Sequence, residues 1–129
     1  MNRLTKLNED QFQMIGQYTE LLDTIEEAFS YIITSFENIE LTATNQLIGD
    51  IITAFQQIIV TNDQLVELLK NESALIQNIK AFQGVIQQAE KLEGVWNDPI
   101  QKQTIIREQL YPAFAEWKAG LQPQLKLVN

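Results

Sequence analysis

The densest group of chemistry-bearing side chains in this 129-residue sequence is the carboxylate set Glu20, Asp23, Glu26 and Glu27. On a helix, intervals of three and four bring Glu20, Asp23 and Glu27 onto one face. Neighbouring carboxylates can hold a hard cation or raise one another's pKa. These positions lie opposite an apolar stripe, so the plain expectation for them is a solvated outer face. A second group, Trp96, Tyr111, Phe114 and Trp117, gathers around Pro112 and could line an apolar pocket or a groove for a partner helix. Aromatic residues at helical spacing also serve as core, and Pro112 is then a tolerated kink near a bundle end.

Other chemistries lack their residues. The sequence contains no Cys and no His, which removes disulfides, thiolate metal sites and cysteine nucleophiles, together with the usual base near neutral pH. A di-iron carboxylate bundle wants Glu-x-x-His pairs. The Ser and Thr hydroxyls have no Gly-x-Ser-x-Gly elbow. Lys80, Lys91 and Lys118 have polar helix-surface neighbours, and no Lys is read inside an apolar stripe where burial would lower its pKa. The five glycines are isolated, so no loop cradles phosphate. No catalytic, metal or cofactor-binding residue is assigned, no cofactor is expected, and the reading is non-enzymatic.

The elements that carry these residues are helices. Ile15, Leu22, Phe29 and Phe36 form one seven-residue series, and Tyr18, Ile25, Ile32 and Ile39 form another; together they make one seam, widened by Leu21, Ala28 and Ile33. Asn8 is read as N-cap with Gln11 at capping-box spacing, giving a first helix over 8–38 and a short connection over 38–42. The second helix, over 43–70 and capped by Thr42 or Thr44, has Ile48, Ile52, Phe55, Ile59, Val66 and Leu69 on its stripe, thickened by Ile51, Ile58 and Leu65. Asn62 falls in that stripe. The helix either continues with one polar seam residue or breaks at Thr61–Gln64; the unchanged apolar phase favours continuation, with Asn62 expected to be partly exposed, the alternative being a buried Asn that fixes register. A third helix over 73–94 turns Leu75, Ile79, Phe82, Ile86 and Ala89 inward and ends at Gly94. Asp98-Pro99-Ile100-Gln101 opens a fourth over 99–120 as N-cap, N1 proline and N3 glutamine. Its stripe is Ile106, Leu110, Phe114, Trp117 and Leu121, with a kink expected at Glu108–Tyr111 because Pro112 cannot donate to the carbonyl of Glu108. Gly120 is read as its end, and 121–129 as a Pro-broken tail.

Four amphipathic segments with short connections predict one all-α domain over 1–129, an up-down-up-down four-helix bundle whose first two helices are the longer. Their overhang needs a cover, either the tail or a second copy, and a homodimer is expected. Residues 7–69 hold eleven acids and no Lys or Arg, within a net charge of −8. Nucleic acid is therefore not expected as a partner. No apolar run reaches membrane-span length, and Met1–Lys6 leads into polar residues rather than a signal-peptide core. A cytoplasmic protein with a protein partner is the expectation.

The segment Gln109-Leu110-Tyr111-Pro112-Ala113-Phe114-Ala115-Glu116-Trp117 resembles the ending of small uncharacterised all-helical proteins of Bacillus-type Firmicutes, which close on an acidic-Leu-x-Pro-x-x-x-x-Trp pattern; Gln109 stands here in place of the acidic residue. That resemblance implies the helical bundle and no catalytic residue. In size and helicity the chain is also similar to flagellar export chaperones, small bundles that hold partner helices. The functional expectation is protein–protein association of adaptor or export-chaperone type. The alternative is a small apolar ligand bound at the aromatic corner near Trp96, Tyr111 and Trp117.

Overall fold

A computed structural model describes residues 7–38 and 41–128. The readings made for Met1–Lys6, for Ile39 and Glu40, and for Asn129 lie outside the described residues. The order is α1 (Glu9–Asn38), α2 (Leu41–Leu68), α3 (Ser73–Lys80), α4 (Phe82–Glu90), a 3₁₀ turn (Glu93–Val95), α5 (Pro99–Ile105), a π turn (Ile106–Leu110) and α6 (Tyr111–Val128). No strand occurs among the described residues. α1, α2, the α3–α4 rod and the α5–α6 rod form an all-α four-helix bundle.

Local chemistry sets the starts. Asn8 Oδ1 accepts from the Gln11 N–H while Gln11 Oε1 accepts from the Asn8 N–H, both at 2.9 Å, which satisfies donors the first turn leaves free. Asp98 caps α5 through the Gln101 N–H at 3.1 Å, with Pro99 just inside the helix. The third segment is not one helix. At Ala81 ψ is −12° and the Gly84 N–H reaches back only three residues, to the Ala81 carbonyl. Gly84 has the weakest helix preference of any residue from Ser73 to Glu90.

Residue pairs across the bundle fall in reversed order. Tyr18, Phe29 and Ser35 of α1 meet Asn62, Phe55 and Thr44 of α2. Phe29 meets Phe114 and Asp23 meets Gln122, joining α1 to α6. Lys91 meets Gln109, and Asn78 meets Trp117. Each rod contributes a phenylalanine to one aromatic layer: Phe29, Phe55, Phe82 and Phe114. Phe55 stacks on Phe114 at 5.8 Å and meets Phe82 edge-on at 5.3 Å. α3 packs on both α2 and α6, whereas α4 packs mainly on α6 and the π turn and meets α2 through Phe82, whose ring lies against Phe55.

Three expectations are corrected here. α2 starts at Leu41, inside the expected connection. α6 runs through Gly120 and Pro123 to Val128, because Leu121 and Leu125, four apart, both enter the core. Those leucines join Ile15, Tyr18 and Leu22 in one buried cluster, so the overhang is closed within one chain and no longer argues for a second copy. Around Pro112 the helix widens into a π turn, the Tyr111 N–H reaching the Ile106 carbonyl. A proline that offers no N–H to the Glu108 carbonyl and crowds it accounts for that widening.

Candidate functional site

Because α4 leans onto α6, its side facing α2 opens into a groove of about 520 Å³. α2 supplies Ile52, Phe55, Gln56 and Ile59; α4 and the turn after it supply Ile86, Ala89, Glu90, Leu92, Glu93 and Trp96. The floor is apolar and the rim on the α4 side is acidic. Ile59 also borders a second depression of about 240 Å³ that continues to Asn62, Asp63, Val66, Ile79 and Lys80. Ile52 and Val66 are separated by roughly 21 Å of helix axis, about four turns. Large apolar side chains are left exposed along it: Ile59 at 42% and Trp96 at 37%, with the adjacent Val60 at 53%. Ile59 was expected in the α2 stripe. The buried stripe instead runs through Ile48, Ile51, Phe55, Ile58, Asn62, Leu65 and Leu69, which leaves Ile59 on the groove side.

Trp96 is held in place by Lys102. The Lys102 ammonium donates to the Trp96 carbonyl at 2.9 Å and to Asn45 Oδ1 at 2.8 Å, and lies 4.3 Å from the centre of the Trp96 ring. The residue is buried, and burial holds its amine below the usual lysine range. Its phase explains this: Lys102 stands four residues before Ile106 on the buried stripe of the last rod.

The other sequence-derived site residues separate from Trp96. Phe114 is fully buried, and Trp117 is buried with its indole N–H donating to the Asn78 carbonyl at 2.7 Å. Tyr111 is half-buried against Phe29 at 5.4 Å, and Pro112 is exposed. Tyr111, Phe114 and Trp117 therefore belong to the aromatic core and its edge, while Trp96 belongs to the groove.

The carboxylate ridge is not simply solvated. Lys118 from α6 is buried and its ammonium lies 2.9 Å from Asp23 and 3.0 Å from Glu26. Burial works against the Lys118 charge, but the hydrogen bonds it donates to Asp23 and Glu26 outweigh it and hold the amine above its ordinary value. Lys118 and the Gln122 side chain hold the Asp23 carboxyl below the usual range. Glu20 and Glu27 stay exposed. Among the described residues no three His, Cys, Asp or Glu side chains form a metal-holding group.

Asn62 is likewise buried, accepting from the Tyr18 hydroxyl at 2.6 Å; the expectation of partial exposure is corrected. The reading that placed Lys118 on the polar surface is corrected as well, since it falls in the buried phase of Phe114, Leu121 and Leu125. No described helix is long and apolar enough to cross a membrane.

No curated protein and no solved structure matches the chain. A family model does match, over residues 13–120, spanning α1 through most of α6 and hence both walls of the groove. With most of its length so matched, the chain belongs to the family DUF8042, a domain of unknown function.

Proposed function

We propose that this protein works in the cytoplasm without catalytic chemistry, as an adaptor or export-chaperone-like bundle that holds a helical segment of another protein in the α2–α4 groove. One observation carries the reading: beyond the Phe82–Phe55 contact α4 leaves an apolar groove about two turns long beside α2, which a smaller and more polar depression continues toward Val66. An amphipathic helix lays a face of i, i+3, i+4 and i+7 side chains into such a channel. The absence of His and Cys from the sequence supports a non-enzymatic role.

A small apolar ligand is the second reading, favoured by a volume within the range of ordinary ligand pockets. The open, elongated shape and the exposed Ile59 and Val60 suit a helix better. A second copy of the chain would use the same exposed residues, and a monomer mass measured by sedimentation at micromolar concentration would exclude that occupant.

In a Trp117→Phe variant, Trp96 is the only tryptophan, and it lines the groove. Titration with an uncharged, leucine-faced helical peptide is expected to blue-shift its emission, and Ile59→Glu to abolish the shift with helicity unchanged. A blue shift that survives Ile59→Glu, or none at millimolar peptide, overturns the reading.

A further inference from the structure

The groove is apolar along its floor, but its charge is not even along its length. At the Trp96 end, Glu90 and Glu93 line it; Glu90 ends α4 and Glu93 opens the turn after it, beside the C-terminal carbonyls of α4, which add negative potential. Lys102 is buried behind the Trp96 ring and turned onto the Trp96 carbonyl and Asn45. Lys91 beside Glu90 is turned away onto Gln109. At the far end Asp63 faces Lys80 across the second depression, so the charges there offset. The channel therefore has an acidic end and a neutral end, on a chain of net charge −8.

Resting on the groove as a helix-binding site, we propose that its partner is an amphipathic helix with Lys or Arg at one end, docked so that those cations meet Glu90 and Glu93. Its apolar face seats between Ile52 and Ile59 on one side and Ile86 and Ala89 on the other. Like charge at the acidic end rejects helices that carry Glu or Asp there, and electrostatic complementarity of this kind sets partner choice and docking direction. Glu90 and Glu93 are exposed, so two cation–carboxylate contacts there give a preference on the order of tenfold at low salt, weakening as salt rises.

The test uses the full chain and two leucine-faced 18-residue peptides that differ only at one end, carrying either three Lys or three Glu. Calorimetric titration at low and physiological salt is expected to give about tenfold tighter binding of the Lys peptide at low salt. The preference should shrink at higher salt and disappear in Glu90→Gln/Glu93→Gln, whose helicity and melting temperature are checked in parallel. Equal affinities, or a preference that persists in the double Gln variant, overturn the charge assignment while leaving the groove intact. Failure of both peptides to bind, or binding of both unaffected by Ile59→Glu, overturns the groove itself.

Discussion

Removing the hydroxyl of Tyr18 tests how α2 is held in the register that points its groove face outward. The Tyr18 hydroxyl donates to Asn62 Oδ1 at 2.6 Å, with Tyr18 2% and Asn62 8% exposed. In Tyr18→Phe the ring packing survives and the Asn62 oxygen is left buried without this donor, which costs about 1–3 kcal/mol. Taking about 2 kcal/mol, the melting temperature of a chain this long should fall by roughly 7 °C. Asn62→Leu strands the Tyr18 hydroxyl in the same way, and its burial already pushes the phenol pKa upward. The double variant removes both polar groups, so it should recover most of the loss, since replacing both partners of a buried hydrogen bond by apolar groups is close to neutral. Urea unfolding of the wild type, both single variants and the double variant completes the cycle. Additive losses, or a Tyr18→Phe cost below about 0.5 kcal/mol, would refute a coupled buried pair at this site.

Trp117→Ala should cost about 3–5 kcal/mol and Trp117→Phe much less, as read by chemical denaturation; unchanged stability in the alanine variant would contradict its place in the core. Gly120→Ala should stabilise by about 0.5–1 kcal/mol, because Gly120 lies inside α6 with open space around the added methyl group; a loss on thermal melting would restore the reading of Gly120 as a helix end. Asp23, whose folded carboxyl is held low by Lys118 and Gln122, contributes stability above its unfolded pKa of about 4, and that contribution is lost as pH falls through its lower folded value. Asp23→Asn should therefore flatten the acid limb of a plot of melting temperature against pH, and a limb of unchanged slope would refute this contribution.

Periodicity made the four rods legible, and short polar motifs made two of their starts legible. The Asn8–Gln11 and Asp98–Gln101 spacings form the hydrogen bonds their residue types imply. The five residues Ile106, Leu110, Phe114, Trp117 and Leu121 are all buried as their spacing requires. Polar residues in apolar phase were read less well. Lys102, Lys118 and Asn62 each fall on a buried stripe, but a stripe cannot say whether a partner awaits on another helix. Asn45, Glu26 with its neighbour Asp23, and Tyr18 supply those partners; Asn45, Glu26 and Tyr18 lie 57, 92 and 44 residues away. The same stripe phase was the signal that could have found Lys102, four residues before Ile106. Pro123 hid the end of α6, although Leu121 and Leu125 continued the i, i+4 pattern past it. The groove was the least legible feature. It arises from the tightening at Ala81 and the lean of α4 onto α6, a tertiary choice that leaves Ile59 and Trp96 outside the core while their hydrophobicity is that of core residues.

The most direct test of the account is an isotope-edited NOE experiment on the isoleucine-methyl-labelled chain bound to the unlabelled Lys-ended peptide. Intermolecular NOEs are predicted from the peptide's leucine face to the methyl groups of Ile52, Ile59 and Ile86, all of which line the α2–α4 groove. Saturating peptide with no NOE to these three methyl groups, or with NOEs instead to Ile100 on α5 away from the groove lining, would contradict it.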